Sequence, residues 1–271
     1  MYVLRGTGSQ NIRDYGVLTM ADKCLIVVSR YKEDVSWLSE YKNESFIYNK
    51  GVDDLKGDNY KQVDNIGGNQ YDICKYIYDN YDDLPKTIAF VQGNPYDHCA
   101  KEKFSKLIND NWFAALESYE HLRVNSIHKK CTAIDFGYME VNNSWYIRAH
   151  NAHLSKMGFE ANCPYNSFDD FMNTFFEDYT HIDWLRFSPG SQYLVERDRC
   201  LRYPRSFWGN LMNVFPPNTS INGGTEAHIV ERALWLIFCG FFKPKNTPAL
   251  VSSLPLPRLR DRFLFQWFAK K

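Results

Sequence analysis

No excess of charge of either sign marks this chain: over 271 residues, 32 Lys and Arg balance 32 Asp and Glu, a formal net charge of zero. That balance argues against a protein that works by coating nucleic acid with positive charge. Long apolar runs are missing too. The longest, Ala233 to Phe242, has ten residues including Gly240, against roughly 20 needed to span a bilayer. The first 22 residues carry Arg5 and Arg13 but no apolar h-region, so no secretory signal is read there and a cytoplasmic protein is expected. No C-x-x-C occurs among the seven cysteines (Cys24, Cys74, Cys99, Cys131, Cys163, Cys200 and Cys239), and an odd number cannot all pair internally. That usage points to a reducing compartment. Neither G-x-x-x-x-G-K-[ST] nor G-x-S-x-G is present, which argues against P-loop and α/β-hydrolase chemistry. Internal repeats and low-complexity tracts are also lacking.

Aromatic residues are what the chain has in quantity. With 18 Tyr, 19 Phe and 7 Trp, and hydrophobic residues at 44%, disorder is excluded for most of its length. Three sections emerge from the apolar period. Cys24 to Val28 is a β-rich run followed by the polar cluster Ser29 to Asp34 and a helical pattern over Val35 to Tyr41. Ser45 to Tyr48 reads as a second strand, Tyr71 to Tyr81 as a helix stopped near Pro85, and Thr87 to Val91 as a third strand. The first and third strands are continuous rather than alternating, as expected of strands covered on both faces. The order β, α, β, α, β predicts an α/β fold with a doubly wound, mostly parallel central sheet flanked by helices. From Lys103 to Ser188 only patches read clearly as helix: Phe104 to Leu107, Trp112 to Leu122 and Phe168 to Phe176. The last section opens with a strand, Gly190 to Val195, and continues with helices at Arg205 to Val214 and Glu226 to Phe238, separated by Pro216-Pro217 and Gly223-Gly224. The expected organisation is an extension over 1–23, one domain over 24–250 with halves 24–100 and 101–250, and a basic, aromatic tail over 251–271. That tail suits either a terminal helix docked on the core or peripheral contact with a membrane.

Open α/β sheets bind ligands beyond the carboxyl ends of their strands. Two polar loops stand there: Ser29 to Asp34, and Gln92-Gly-Asn-Pro-Tyr-Asp-His98. Gly93 and Pro95 stiffen the second, which aims Asn94, Asp97 and His98 outward. Their oxygens suit Mg²⁺ or Mn²⁺; equally, Asn94-Pro95 and Asp97 suit an Asx-type turn without metal. Glu226 follows a Gly-Gly hinge in the first turn of a helix, where the dipole favours the ionised carboxylate of a general base or simply rewards a helix-start acid. Arg232 has the reach for a phosphate, although an exposed helical arginine needs no such role. His150 and His153 have the spacing of a zinc pair without a matching second pair elsewhere in sequence. Cys99 reads better as a small buried residue than as a nucleophile.

Val27-Val-Ser-Arg-Tyr-Lys-Glu-Asp-Val-Ser-Trp-Leu38, Tyr78-Asp-Asn-Tyr-Asp-Asp-Leu-Pro85 and Phe90-Val-Gln-Gly-Asn-Pro-Tyr-Asp-His98 together resemble a glycosyltransferase-like family of fungi, bacteria and large algal viruses. The resemblance returns at Gly190 to Arg197, Tyr203 to Phe207 and Glu226 to Arg232, and leaves the middle uncovered. It implies a GT-A-like single domain that moves a sugar from a UDP- or GDP-type nucleotide-sugar donor to a glycan or other hydroxyl acceptor in glycan biosynthesis, with inversion. By that resemblance Ser29, Arg30, Tyr31, Asp64, Gln92 and Gly93 border the donor, with Asp53 an alternative to Asp64 at the base. Asn94, Asp97 and His98 hold Mn²⁺ or Mg²⁺ under its diphosphate. Gly190, Ser191, Gln192, His228 and Arg232 border the acceptor, and Glu226 is the base. The motif departs from the family where Asn94 stands for an expected Asp, and where Gly68-Asn69 stands near an expected Arg-Glu pair. A catalytically inactive carbohydrate- or nucleotide-binding module and a metal-dependent phosphate-ester hydrolase are the alternative readings.

Overall fold

The computed structural model describes residues 24–51, 59–110, 112–118, 131–134, 137–158, 163–215 and 224–245. The readings on the N-terminal extension, Asp53, Pro216-Pro217, Gly223 and the C-terminal tail lie outside those residues. A six-stranded sheet forms the centre, in the order β3-β2-β1-β4-β9-β5. Its strands are β1 (Leu25–Arg30), β2 (Ser45–Asn49), β3 (Tyr60–Gln62), β4 (Thr87–Gln92), β5 (Ala114–Ala115) and β9 (Tyr193–Glu196). β3, β2, β1 and β4 run parallel, while β9 is antiparallel to both of its neighbours.

Side chains alternate across this sheet onto two apolar layers. Val27, Ile88, Phe90, Tyr193 and Val195 enter the larger core, whereas Ile26, Val28, Ala89, Val91 and Leu194 enter the smaller one. Both faces being covered is the physical reason for the unbroken apolar runs of β1 and β4. The larger core is roofed by α1 (Gly68–Asp79), α4 (Phe168–Phe175), α6 (Arg205–Met212) and α7 (Gly224–Cys239), with Cys200 of the single turn α5 (Arg197–Cys200) packed into it. On the other face lie α2 (Lys101–Leu107) and the 3₁₀ turn Ser36–Glu40. The chain is a mixed α/β domain with a largely parallel central sheet flanked by helices.

Three features differ from the sequence expectation. Within Trp112 to Leu122, Ala114 and Ala115 form edge strand β5 against Leu194 and Tyr193 instead of helix. Alanine's helix preference is outweighed there by pairing with a strand whose edge would otherwise be unpaired. The uncovered middle supplies a second, antiparallel sheet in the order β6-β7-β8: Cys131–Ile134, Gly137–Val141 and Trp184–Phe187. It also supplies a helix, α3 (Trp145–Lys156). The pattern over Val35 to Tyr41 closes into a five-residue 3₁₀ turn rather than an α-helix.

Candidate functional site

The chain leaves β1 for β2 and β3 on one side and returns to β4 on the other, so the sheet order reverses between β1 and β4. At such a switch point the two following loops diverge and leave a crevice at the carboxyl edge. The loops here are Arg30 to Asp34 and Gln92 to His98, and they are locked at their bases. Trp37 Nε1 donates to the Gly93 carbonyl at 2.8 Å, and the Trp37 ring meets Tyr41, Tyr96 and Phe104 edge-on. Glu33 lies over Gly93, close enough that a Cβ there would push its side chain aside.

In the first loop, Arg30 is buried. Its Nε donates to the Glu33 carbonyl and one Nη to Asn49 Oδ1, both at 2.7 Å, so the guanidinium holds the loop to the end of β2. Tyr31, 50% exposed, offers its ring to solvent with the Lys32 ammonium 5.4 Å from its centre. Lys32 has φ 74°, a left-handed conformation that a side chain resists and that recurs at ligand sites. Ser29 donates to Asp72 at 2.5 Å, and Asp72 is paired at 3.1 Å with the Lys50 ammonium. Burial outweighs that cation and holds the Asp72 carboxyl above its usual range. Lys50 also donates to the carbonyls of Ile66 and Gly68, pinning the entry to α1. Asp64 is exposed just beyond the carboxyl end of β3.

The second loop takes the geometry of a self-contained turn. Asn94 Oδ1 accepts from the Tyr96 amide at 3.3 Å while its Nδ2 donates to Asp97 Oδ1 at 2.7 Å. The amide expected to face a cation is thus engaged on both sides. Asp97 is exposed, and among the described residues no three His, Cys, Asp or Glu side chains come together in metal-holding geometry. As it stands, Asn94-Asp97-His98 does not fit a carboxylate cage for Mn²⁺ or Mg²⁺.

Gly190, Ser191 and Gln192 do meet this edge. Gln92 donates to Gln192 Oε1 through its amide at 3.2 Å and to the Gly190 carbonyl through its side chain at 3.2 Å. Asn69, at the start of α1, donates to the carbonyls of Gly190 and Ser191 at 2.7 and 3.1 Å. Gly190 has φ 78°, and a Cβ there would run into the Gln92 amide and the His98 ring. Ser191, φ 54°, buries a hydroxyl that has no hydrogen-bond partner among the described residues. Strain and an unmet donor thus coincide in one buried turn.

Of the two carboxyls behind that turn, Glu117 and Glu231, sequence reasoning missed the first. Glu117, wholly buried, takes a hydrogen bond from the Ser188 hydroxyl, and burial pushes its carboxyl well above the usual range. Glu231 accepts from the Gly190 amide at 2.6 Å. Burial would raise it, but His228, Arg232 and that amide together hold it below its usual range. Glu117 stands in a segment that reads as helix in sequence, so no signal there announced it.

Two expectations on α7 change. Arg232 is not exposed: its guanidinium bonds both oxygens of Glu140, lies 3.2 Å from Glu231 Oε2, and is sandwiched by Tyr146 and Phe187 with Cζ 3.7 and 4.4 Å from the ring centres. It is filled from within and is not presented to a phosphate. Glu226 is 5% exposed, and burial raises its carboxyl despite the hydrogen bonds it accepts from its own amide and from Cys163. Desolvation, rather than the helix dipole, sets its protonation. His228 keeps partial exposure, with Nδ1 3.9 Å from Glu231 Oε2. Among the described residues no helix is long and apolar enough to cross a membrane.

No curated protein and no solved structure matches this chain. A family model described as "Protein of unknown function (DUF3431)" matches residues 25–248, and the chain belongs to that family.

Proposed function

We propose that this protein is a glycosyltransferase with a GT-A-like fold, taking a nucleotide-diphospho-sugar donor at the carboxyl edge between β1 and β4 and a hydroxyl acceptor, such as a glycan, beside the turn 188–192. The observation that carries this reading is the reversal of strand order between β1 and β4, with two loops locked together around Trp37, Glu33 and Gly93. Tyr31 offers an aromatic face for the base and Lys32 a cation for the phosphates, at the lip of that crevice. Arg30 positions the loop from beneath.

In this reading Glu226 takes the proton of the acceptor hydroxyl. The oxygen then bonds to the anomeric carbon while the bond to the diphosphate breaks, and the diphosphate leaves with that electron pair. A carboxyl raised by burial is better matched to proton transfer near neutrality than an ordinary one. The test is incubation of the purified chain with a panel of UDP and GDP sugars, with and without simple glycan acceptors, reading nucleoside diphosphate release. Acceptor-stimulated release supports transfer; nucleotide binding without release for every donor leaves a binding module instead.

A further inference from the structure

α3 and α7 pack face to face, and the Thr225 hydroxyl is hydrogen-bonded to Asn151 across the contact. This packing gathers three imidazoles: His150 and His153, one turn apart on α3, and His228 on α7. The centroid of the His150 ring lies 4.4 Å from that of His228 and 6.2 Å from that of His153. Two imidazoles bound to one tetrahedral ion through nitrogens about 2.0–2.1 Å away have centroids about 5 Å apart, so the observed spacings bracket that arrangement.

Two further observations point inward. His150 Nε2 is buried without a hydrogen-bond partner among the described residues, an uncommon state for a ring nitrogen. Behind His228, Glu231 Oε2 faces Nδ1 at 3.9 Å while Oε1 is anchored to the Gly190 amide. A fixed carboxylate near one ring nitrogen is the kind of outer partner that orients a ligating histidine, and at 3.9 Å a small ring shift brings this one into hydrogen-bond reach. Among the described residues no three donors already stand at ligating distance. Closing the set requires ring rotation, for which His153 and His228 both have solvent exposure.

We infer that His150, His153 and His228 form a site for a borderline divalent transition-metal ion of the Zn²⁺ class, with the fourth position open to solvent. Three imidazole nitrogens favour Zn²⁺ and Co²⁺ over Mg²⁺ and Mn²⁺. The site clamps α3 to α7 and does not depend on the sugar-transfer reading.

The chelator-stripped full chain titrated with Zn²⁺ by calorimetry, and with Co²⁺ by visible absorption, tests this. One ion per chain and a tetrahedral Co²⁺ spectrum are expected, unaffected by excess Mg²⁺ and by His181→Ala. His150→Ala and His228→Ala should each weaken binding more than the roughly 10–100-fold that Glu231→Gln, removing only the outer partner, should cost. His150→Asn, compared at equal metal-free melting temperature, separates ligand loss from misfolding. No Zn²⁺ binding by the wild type, or unchanged affinity in the folded His150 and His228 variants, overturns the assignment.

Discussion

Arg232 and Glu140 form a buried ion pair between α7 and β7, both guanidinium-to-carboxylate contacts being made 92 residues apart in sequence and out of reach of water. The pair welds the second sheet to the helix that carries Glu226, His228 and Glu231. Removing one partner strands the other charge in the interior, which costs about 3–5 kcal/mol. Arg232→Met should therefore lower the denaturant midpoint sharply, and Glu140→Leu added to it should recover much of the loss. A single variant as stable as wild type would show that the pair is not what joins these elements.

Glu117 predicts a pH dependence. Its folded carboxyl titrates well above 4.5 because it is buried, so the folded chain holds a proton that the unfolded chain releases. Stability contributed through this group is present below the ordinary carboxylate range and declines as pH rises through and above it. Glu117→Gln has no proton to lose and can still accept from Ser188. Its melting temperature should rise relative to wild type by a few degrees between pH 4.5 and 7, as about 1 kcal/mol does in a chain of this size. A difference that does not change with pH would mean Glu117 is ionised in the folded state.

The central strands and five of the helices are legible in sequence because their signals are local. Continuous apolar runs announce β1 and β4, and helical spacing announces α1, α2, α4, α6 and α7. What cannot be read there is pairing across long separations. β5 is two alanines made a strand by β9. The site is legible in part: polar residues are expected beyond β1 and β4, but Gly190 to Gln192, read as the start of a strand, form a turn against Gln92 and the strand begins only at Tyr193. Arg232, however, looks like a surface charge until Glu140 and Tyr146 are placed around it. His228 is a lone histidine until α3 brings His150 beside it.

The loop after β1 separates two roles. Arg30→Ala removes a buried hydrogen bond to Asn49 and a part-buried one to Glu33, and should cost about 1.5–3 kcal/mol of stability. Lys32→Gly relieves a left-handed side chain and removes the cation beside Tyr31, so the melting temperature should hold while UDP or GDP affinity falls severalfold. Calorimetric titration with the two nucleotides reads both. Undiminished affinity in Lys32→Gly would move the phosphates away from this lip.

Asn94→Asp exchanges the amide that donates to Asp97 for a second carboxylate. Without metal the two like charges should open the turn and lower the melting temperature by a few degrees; with Mn²⁺ and UDP present the variant should gain stability that wild type does not. Equal Mn²⁺-dependent stabilisation of wild type would show that the native turn rearranges to bind a cation without a second carboxylate.

Glu226→Gln examines the proposed base. Burial raises this carboxyl, so in wild type turnover should climb with pH as the group ionises, from the ordinary carboxylate range upward. The Gln variant keeps the shape and the hydrogen bond from its own amide but cannot take a proton. It should lose on the order of 10²-fold in turnover or more and show no such climb, with little change in nucleotide affinity. Because an ionised Glu226 is disfavoured inside the fold, the variant should be at least as stable as wild type at neutral pH. A base acting on the acceptor also implies attack opposite the leaving diphosphate, so the product should have the inverted anomeric configuration. Retained configuration, or near-normal turnover in Glu226→Gln, would transfer the role to another carboxyl; of those near the turn 188–192, Glu231 is held ionised against Gly190 and is the first to examine.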